Sequence, residues 1–176
     1  SDDLYIKANI TSNMDVRKFG ALDNGTSQTS ILLSALAVTS ISITAINIRA
    51  EDVALPSGAE ITAKNRGKLY ATTPDSNCLI LSGISEVSIH RVPISVSNTK
   101  QTTASAGNCI YVTGCCDIEI SRNKLVHNGG SGVVINNTTS FDVSKNKLTQ
   151  NAYSVSNPSE EFENGQAPSI QVNDGC

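Results

Sequence analysis

Asn108-Cys109-Ile110-Tyr111-Val112-Thr113 is followed by Asp117-Ile118-Glu119-Ile120-Ser121-Arg122-Asn123-Lys124-Leu125. The same pattern returns 23 positions later, without a gap, as Ser131-Gly132-Val133-Val134-Ile135-Asn136 and Ser140-Phe141-Asp142-Val143-Ser144-Lys145-Asn146-Lys147-Leu148. It also extends backward by 31 positions, to Cys78-Leu79-Ile80-Leu81-Ser82-Gly83 and Glu86-Val87-Ser88-Ile89-His90-Arg91. A fourth copy opens at Ile170-Gln171-Val172-Asn173, shifted by 37. A repeat of this length is one supersecondary unit that cannot bury its apolar face alone and must stack on its neighbours.

Within a copy the apolar residues alternate. Ile110 and Val112 face one way, Tyr111 and Thr113 the other. Ile118 and Ile120 point in, while Asp117, Glu119 and Ser121 point out, as the two-residue period of a strand requires. Asn123 and Asn146 close the second strand of their copies, where Asn tolerates the left-handed region and stacked side chains can bond along the turn. Leu125 and Leu148 open a third strand. Two or three short strands and as many turns per 23 residues describe one coil of a parallel β-helix. The extra residues of the longer copies sit in Asn98–Gly107 and Asn157–Ala167 and read as projecting loops.

The 176 residues suggest one domain. Apolar residues make up 39% but aromatics only 4%, with no Trp, so the core must be Ile, Val and Leu, of which Ile and Val favour strands. A net charge of −3 and a pI near 5.3 leave no electrostatic footprint for nucleic acid. No apolar run is long enough to cross a bilayer, so membrane insertion is not expected. The five cysteines lack paired zinc spacing, and neither a metal nor another cofactor is expected. Cys78 and Cys109 share a repeat column, where a disulfide is geometrically allowed and a pair of reduced small hydrophobes is the alternative. His90 and His127 have no triad partner at recognisable spacing and read as surface residues.

Ahead of the repeats, Leu4 to Ile10 suggests a strand, and Asp23-Asn24-Gly25 is turn chemistry. Thr26 or Ser27 is placed to cap a helix of about 27–37, with Ile31, Leu32, Ala35 and Leu36 on one face. Val38 to Ile48 alternates as a strand or strand pair, Leu55-Pro56-Ser57-Gly58 signals a turn, and Ala59–Ala63 is a short strand. Residues 1–76 thus hold a strand, the helix and the first incomplete coils, and 77–176 hold the coils, with the chain stopping mid-coil at Cys176 as though it were the first part of something longer.

Val16-Arg17-Lys18-Phe19-Gly20-Ala21, then Asp23-Asn24-Gly25-Thr26 and a helix, resembles the opening of the pectate-lyase-like superfamily, which includes phage tailspikes and polysaccharide depolymerases. This chain departs from the pattern in having Asn24 where the motif has Gly, and Ser27 and Gln28 where an acidic pair is common. The resemblance implies an all-β, right-handed parallel β-helix (a solenoid) with one N-terminal capping α-helix. It further implies a polysaccharide as partner, a homotrimer, and an extracellular or virion-surface (tail) location.

Stacking the copies sets outward side chains in columns: Ser88, Glu119 and Asp142; Glu86, Asp117 and Ser140; His90, Ser121 and Ser144; Arg91, Arg122 and Lys145. With coils about 4.8 Å apart, Glu119, Asp142 and Asp117 form a carboxylate cluster beside a basic ladder. Paired carboxyl groups suit a glycosidase, and a β-eliminating lyase would instead use Arg122 or Lys145 as base. The catalytic candidates are therefore Glu119, Asp142 and Asp117. The carbohydrate-binding candidates are Arg91, Arg122, Lys145, Tyr111 and His90. The leading reading is a tailspike-like depolymerase, hydrolase or lyase. The rival is a non-catalytic β-helix adhesin or structural domain with a merely solvated charged face.

Overall fold

The computed structural model describes residues 13–38, 40–73, 75–97, 107–127, 130–150 and 170–173. The expected strand at Leu4 to Ile10, both projecting loops except Gly107, and Asp174-Gly175 lie outside the described residues.

The described residues are all-β apart from a 3₁₀ turn at Val16–Phe19 and one helix, α1 (Thr29–Leu36). Its strands fall into three parallel sheets that the chain visits in a fixed cycle. Sheet A holds β1 (Met14–Asp15), β2 (Ile41–Thr44), β5 (Glu60–Lys64), β8 (Ser85–His90), β11 (Cys116–Ser121) and β14 (Thr139–Ser144), in that order. Sheet B holds β3 (Asn47–Arg49), β6 (Lys68–Ala71), β9 (Pro93–Val96), β12 (Lys124–His127) and β15 (Lys147–Gln150). Sheet C holds β4 (Val53–Ala54), β7 (Leu79–Ser82), β10 (Ile110–Thr113), β13 (Val133–Asn136) and β16 (Ile170–Asn173). From β2 onward each round of chain gives one strand to A, one to B and one to C, which is a β-helix-like arrangement.

The registers follow the repeat. Ile110 pairs Val133, Glu119 pairs Asp142 and Leu125 pairs Leu148, each 23 residues apart. Ile110 also pairs Leu79, 31 residues back, and Val133 pairs Ile170, 37 ahead. A constant shift across all three sheets keeps every inward residue above an inward residue. A one-residue slip would turn the whole apolar set outward. The inward columns, among them Leu81 and Val112, Ile89 and Ile120, and Ile94 and Leu125, are fully buried in one apolar cluster. Each such side chain contributes roughly 1.5–3 kcal/mol by leaving water. Phe141, Ile170 and Val172 continue inward columns on the last described strands and are exposed.

Two ladders of side-chain amides tie the rounds together at their corners. Asn123 and Asn146 form one between sheets A and B: Val92 N–H donates to Asn123 Oδ1 at 2.8 Å, and Asn123 N–H to Asn146 Oδ1 at 2.8 Å. Their Nδ2 groups donate back to Ile89 O at 2.9 Å and Ile120 O at 2.7 Å. Stacked bonding is thus as expected, but the left-handed residues are their predecessors, Arg122 and Lys145. The second ladder leads into sheet C. Asn77 N–H donates to Asp52 Oδ1, Asn108 N–H to Asn77 Oδ1, and Ser131 N–H to Asn108 Oδ1, at 2.9, 3.0 and 2.7 Å.

Helix α1 buries Leu32, Ala35 and Leu36 in the same core and contacts β4, the first strand of sheet C. Neither Thr26 nor Ser27 caps it. The cap position is Gln28, with no side-chain capping bond. Gln28 is buried and turns its amide back instead: Nε2 donates to Thr26 Oγ1 at 2.9 Å, and Oε1 accepts from Leu22 N–H at 3.2 Å. Tying down the preceding loop takes the place of capping. At the turn before β6, a Cβ on Gly67 would lie 2.1 Å from Ile43 O, so no larger residue fits without moving backbone.

Candidate active site on the outer face of sheet A

The three long strands β8, β11 and β14 carry the candidates. Glu86, Asp117 and Ser140 adopt φ of 59°, 53° and 53°, left-handed residues inside strands. The three strands therefore kink in step one residue after they begin. Asp117 is exposed, and Ser140 Oγ donates to its Oδ1 at 2.6 Å. An open, shallow surface depression of about 380 Å³ is lined by Asp117, Ile118, Glu119, Ser140, Phe141 and Asp142.

Glu119 and Asp142 are direct register partners there, with Ser88 completing their column. Parallel partners stand about 4.8 Å apart. Each carboxylate is held by the hydroxyl two residues on, on the same face: Ser121 Oγ donates to Glu119 Oε1 at 2.7 Å, and Ser144 Oγ to Asp142 Oδ2 at 3.1 Å. His90 Nδ1 lies 2.7 Å from Ser121 Oγ. An ionised carboxylate only accepts, so the Ser121 proton belongs to Glu119, and His90 Nδ1–H must donate to Ser121. His90 Nε2 is then the free acceptor. This order, His90 to Ser121 to Glu119, is the reverse of what activates a serine nucleophile, where the imidazole must accept from the hydroxyl.

Acid–x–Ser occurs twice in register, at Glu119-Ile120-Ser121 and Asp142-Val143-Ser144, and the alternation that sets the carboxylates outward also sets the hydroxyls beside them. Phe141 was counted inward, where its partner Ile118 belongs, yet it is 38% exposed and lines the hollow. Tyr111, read as the one outward ring, stands on β10 in sheet C, where its hydroxyl accepts from Asn136 Nδ2 at 3.0 Å. The structure does not bring Tyr111 to the carboxylates.

Arg91, Arg122 and Lys145 leave sheet A at its exit edge, exposed, with φ of 57°, 57° and 56°. They flank the carboxylate columns. His90 is half-buried rather than a free surface residue. His127 is not a surface residue at all. It falls in the inward column above Val96, is 0% exposed, and neither ring nitrogen meets the geometry of a hydrogen bond to any described residue.

A second hollow, of about 270 Å³, lies at the other edge of sheet A among Asn13, Met14, Asp15, Lys18, Ser42, Thr44 and Lys64. Its one acid is already engaged. Arg17 donates to both Asp15 oxygens at 3.0 and 2.6 Å and holds that carboxyl down at about 2. Between the hollows, the registered column Asp15, Ser42, Thr62, His90, Ser121 and Ser144 makes a polar track over six strands, about 24 Å long.

Cys78, Cys109, Cys115 and Cys116 are unpaired. Burial pushes the Cys109 thiol up to about 12, and burial together with Cys109 pushes Cys78 well above the ordinary thiol range. Inert thiols of this kind are poor nucleophiles and metal ligands. No group of three or more His, Cys, Asp or Glu side chains is placed to hold a metal ion among the described residues. No helix among them is long and apolar enough to cross a membrane.

No family model and no curated protein matches this chain. Among solved structures, a crystal structure of a candidate glycosyl hydrolase from Parabacteroides merdae ATCC 43184 superposes with a TM-score of 0.55 at 12% identity. The match covers 91% of this chain and 95% of that one. At that identity the likeness is one of fold.

Proposed function

We propose that this chain is a right-handed parallel β-helix whose sheet-A face binds and cleaves a bacterial surface polysaccharide. The observation that carries the reading is the registered pair Glu119 and Asp142, each held by its own serine and set with Phe141 in one hollow. Two carboxyl groups on register-paired strands about 4.8 Å apart suit a glycosidase, in which one serves as acid and the other as nucleophile or base. The structural likeness to a candidate glycosyl hydrolase agrees with this choice over a lyase. The resemblance of the N-terminal segment to tailspike depolymerases adds a homotrimer on a virion tail or another extracellular surface.

The rival is a glycan-binding adhesin or a structural spacer. It is favoured by one observation: residues of β11 and β14 alone line the hollow, so no other described segment roofs it. Incubation with a panel of capsular and lipopolysaccharide glycans separates the readings. Chain shortening with new reducing ends is expected from the wild type, and a loss of roughly 100-fold or more from Glu119→Gln or Asp142→Asn. Shortening accompanied by unsaturated-uronate absorbance would assign a lyase instead. Full activity in both variants would remove the carboxylate pair from the mechanism. Binding without shortening across the panel would leave the adhesin.

A further inference from the structure

The chain is net acidic, yet its cations are not scattered. Lys64, Arg66, Lys68, Arg91, Arg122, Lys124, Lys145 and Lys147 all stand at the corner where the chain passes from sheet A to sheet B, in four successive rounds. They are eight of the chain's thirteen Lys and Arg residues, and none of its sixteen Asp and Glu lies in these turns. Seven are exposed and Lys68 is half-buried. None of the eight takes part in an ion pair among the described residues; the two salt bridges there are Arg17 with Asp15 and Arg49 with Glu51.

Folding does not call for this arrangement. Arg66, Arg91, Arg122 and Lys145 sit at φ between 56° and 67°, where Gly or Asn is the easier occupant. The corner between sheets C and A meets the same need with Gly83, Gly114 and Asn137, at φ of 63°, 61° and 46°. Lys124 and Lys147 are direct register partners, and like charges set opposite one another destabilise a sheet. The corner thus carries a repulsive ridge about 14 Å long, counted as three spacings between rounds, that its own turn chemistry could have avoided.

We infer that this ridge is a binding surface for an acidic polysaccharide, a linear chain bearing carboxylate or sulfate groups and lying along the stacking direction. Cations repeating with each round match a polymer whose charges also repeat, and an anionic chain relieves the repulsion between them. Nucleic acid fits less well. Single strands are held by exposed aromatic platforms beside the cations. The ring nearest this ridge in the sequence, Tyr70, is already covered by the Lys68 amino group, 5.5 Å from its centroid. The inference concerns binding alone and names the charge class of glycan that the adjoining face would meet. It stands or falls separately from cleavage.

The test uses the protein with dextran sulfate, polygalacturonate, neutral dextran and oligothymidylate as probes. Arg91→Asn, Arg122→Asn and Lys145→Asn are combined in one variant, since Asn keeps the left-handed turns and removes the charge. Wild type is expected to bind at least one of the two anionic glycans, with affinity falling as salt rises, and to ignore neutral dextran. The triple variant should bind at least tenfold more weakly while keeping the wild-type circular dichroism spectrum. Lys18→Asn, at the far edge of sheet A, should bind as wild type does. The inference is overturned if neither anionic glycan binds at low salt, or if the triple variant binds like wild type. It is equally overturned if Lys18→Asn loses as much, or if oligothymidylate competes as well as the glycans.

Discussion

Replacing Asn123 by Ala removes the middle of the corner ladder and puts a number on what the stacked amides contribute. Asn123 is 1% exposed. Its Oδ1 takes the Val92 N–H at 2.8 Å, and its Nδ2 serves Ile89 O at 2.9 Å and Asn146 Oδ1 at 3.1 Å. Truncation leaves the Val92 N–H and the Ile89 carbonyl without that partner in a region closed to water. Each buried group so stranded costs about 1–3 kcal/mol, which makes roughly 2–6 kcal/mol for the pair. That is a large part of the 5–15 kcal/mol typical of a whole domain. Asn146 makes the corresponding bonds but is half-buried, so water can replace some of them, and Asn146→Ala should fall at about 1–2 kcal/mol. Urea unfolding followed by circular dichroism gives the difference between the two, and hydrogen exchange at the Val92 amide localises it. If Asn123→Ala costs less than about 1 kcal/mol, or no more than Asn146→Ala, the ladder is not a source of stability and the reasoning fails.

Two further outcomes follow from titrating groups. Burial lowers the pKa of His127, opposed in part by the nearby Gly130 backbone. The ring is therefore neutral when folded, and stability should fall as pH drops below about 6.5, where the unfolded ring takes a proton. His127→Val, matching its column partner Val96, should remove that fall and raise stability at neutral pH by about 1–2 kcal/mol; an unchanged pH profile would show that the ring is not sealed off as described. For Glu51, burial alone would raise the carboxyl, but the Thr73 and Arg49 hydrogen bonds outweigh it and hold it down at about 2. Its stabilising effect is present above the ordinary carboxylate range and lost as pH falls toward 2. Glu51→Gln should flatten the acid limb of the stability curve, and a curve that overlays wild type would contradict the assignment.

What was legible in the residues was whatever depends on a constant shift. Gap-free repetition predicted which side chains stack, and the registers of Glu119 with Asp142 and of Ile110 with Val133 follow from it. His127 stands on the third strand of its copy, where the repeat still holds. Carried 31 positions back, it meets Val96 in an inward column. The kink was not legible, since nothing in Glu86, Asp117 and Ser140 as residue types announces a left-handed conformation inside a strand. The cap was missed for a related reason: Thr26 and Ser27 have the right chemistry, but Thr26 is spent on the turn, where its Oγ1 bonds Asn24 Oδ1 at 2.7 Å. The basic ridge was half seen. Arg91, Arg122 and Lys145 share a column, whereas Lys64, Arg66, Lys68, Lys124 and Lys147 join them only where the rounds turn the same corner.

Everything functional rests on where a sugar sits. The most direct measurement is a crystal structure of the Glu119→Gln protein with an oligosaccharide from any glycan that the wild type shortens or binds. A sugar ring is expected within hydrogen-bond reach of residue 119 and Asp142, with the chain running toward the Arg91, Arg122 and Lys145 edge. Sugar bound on sheet C around Tyr111, with the sheet-A hollow empty, would contradict it.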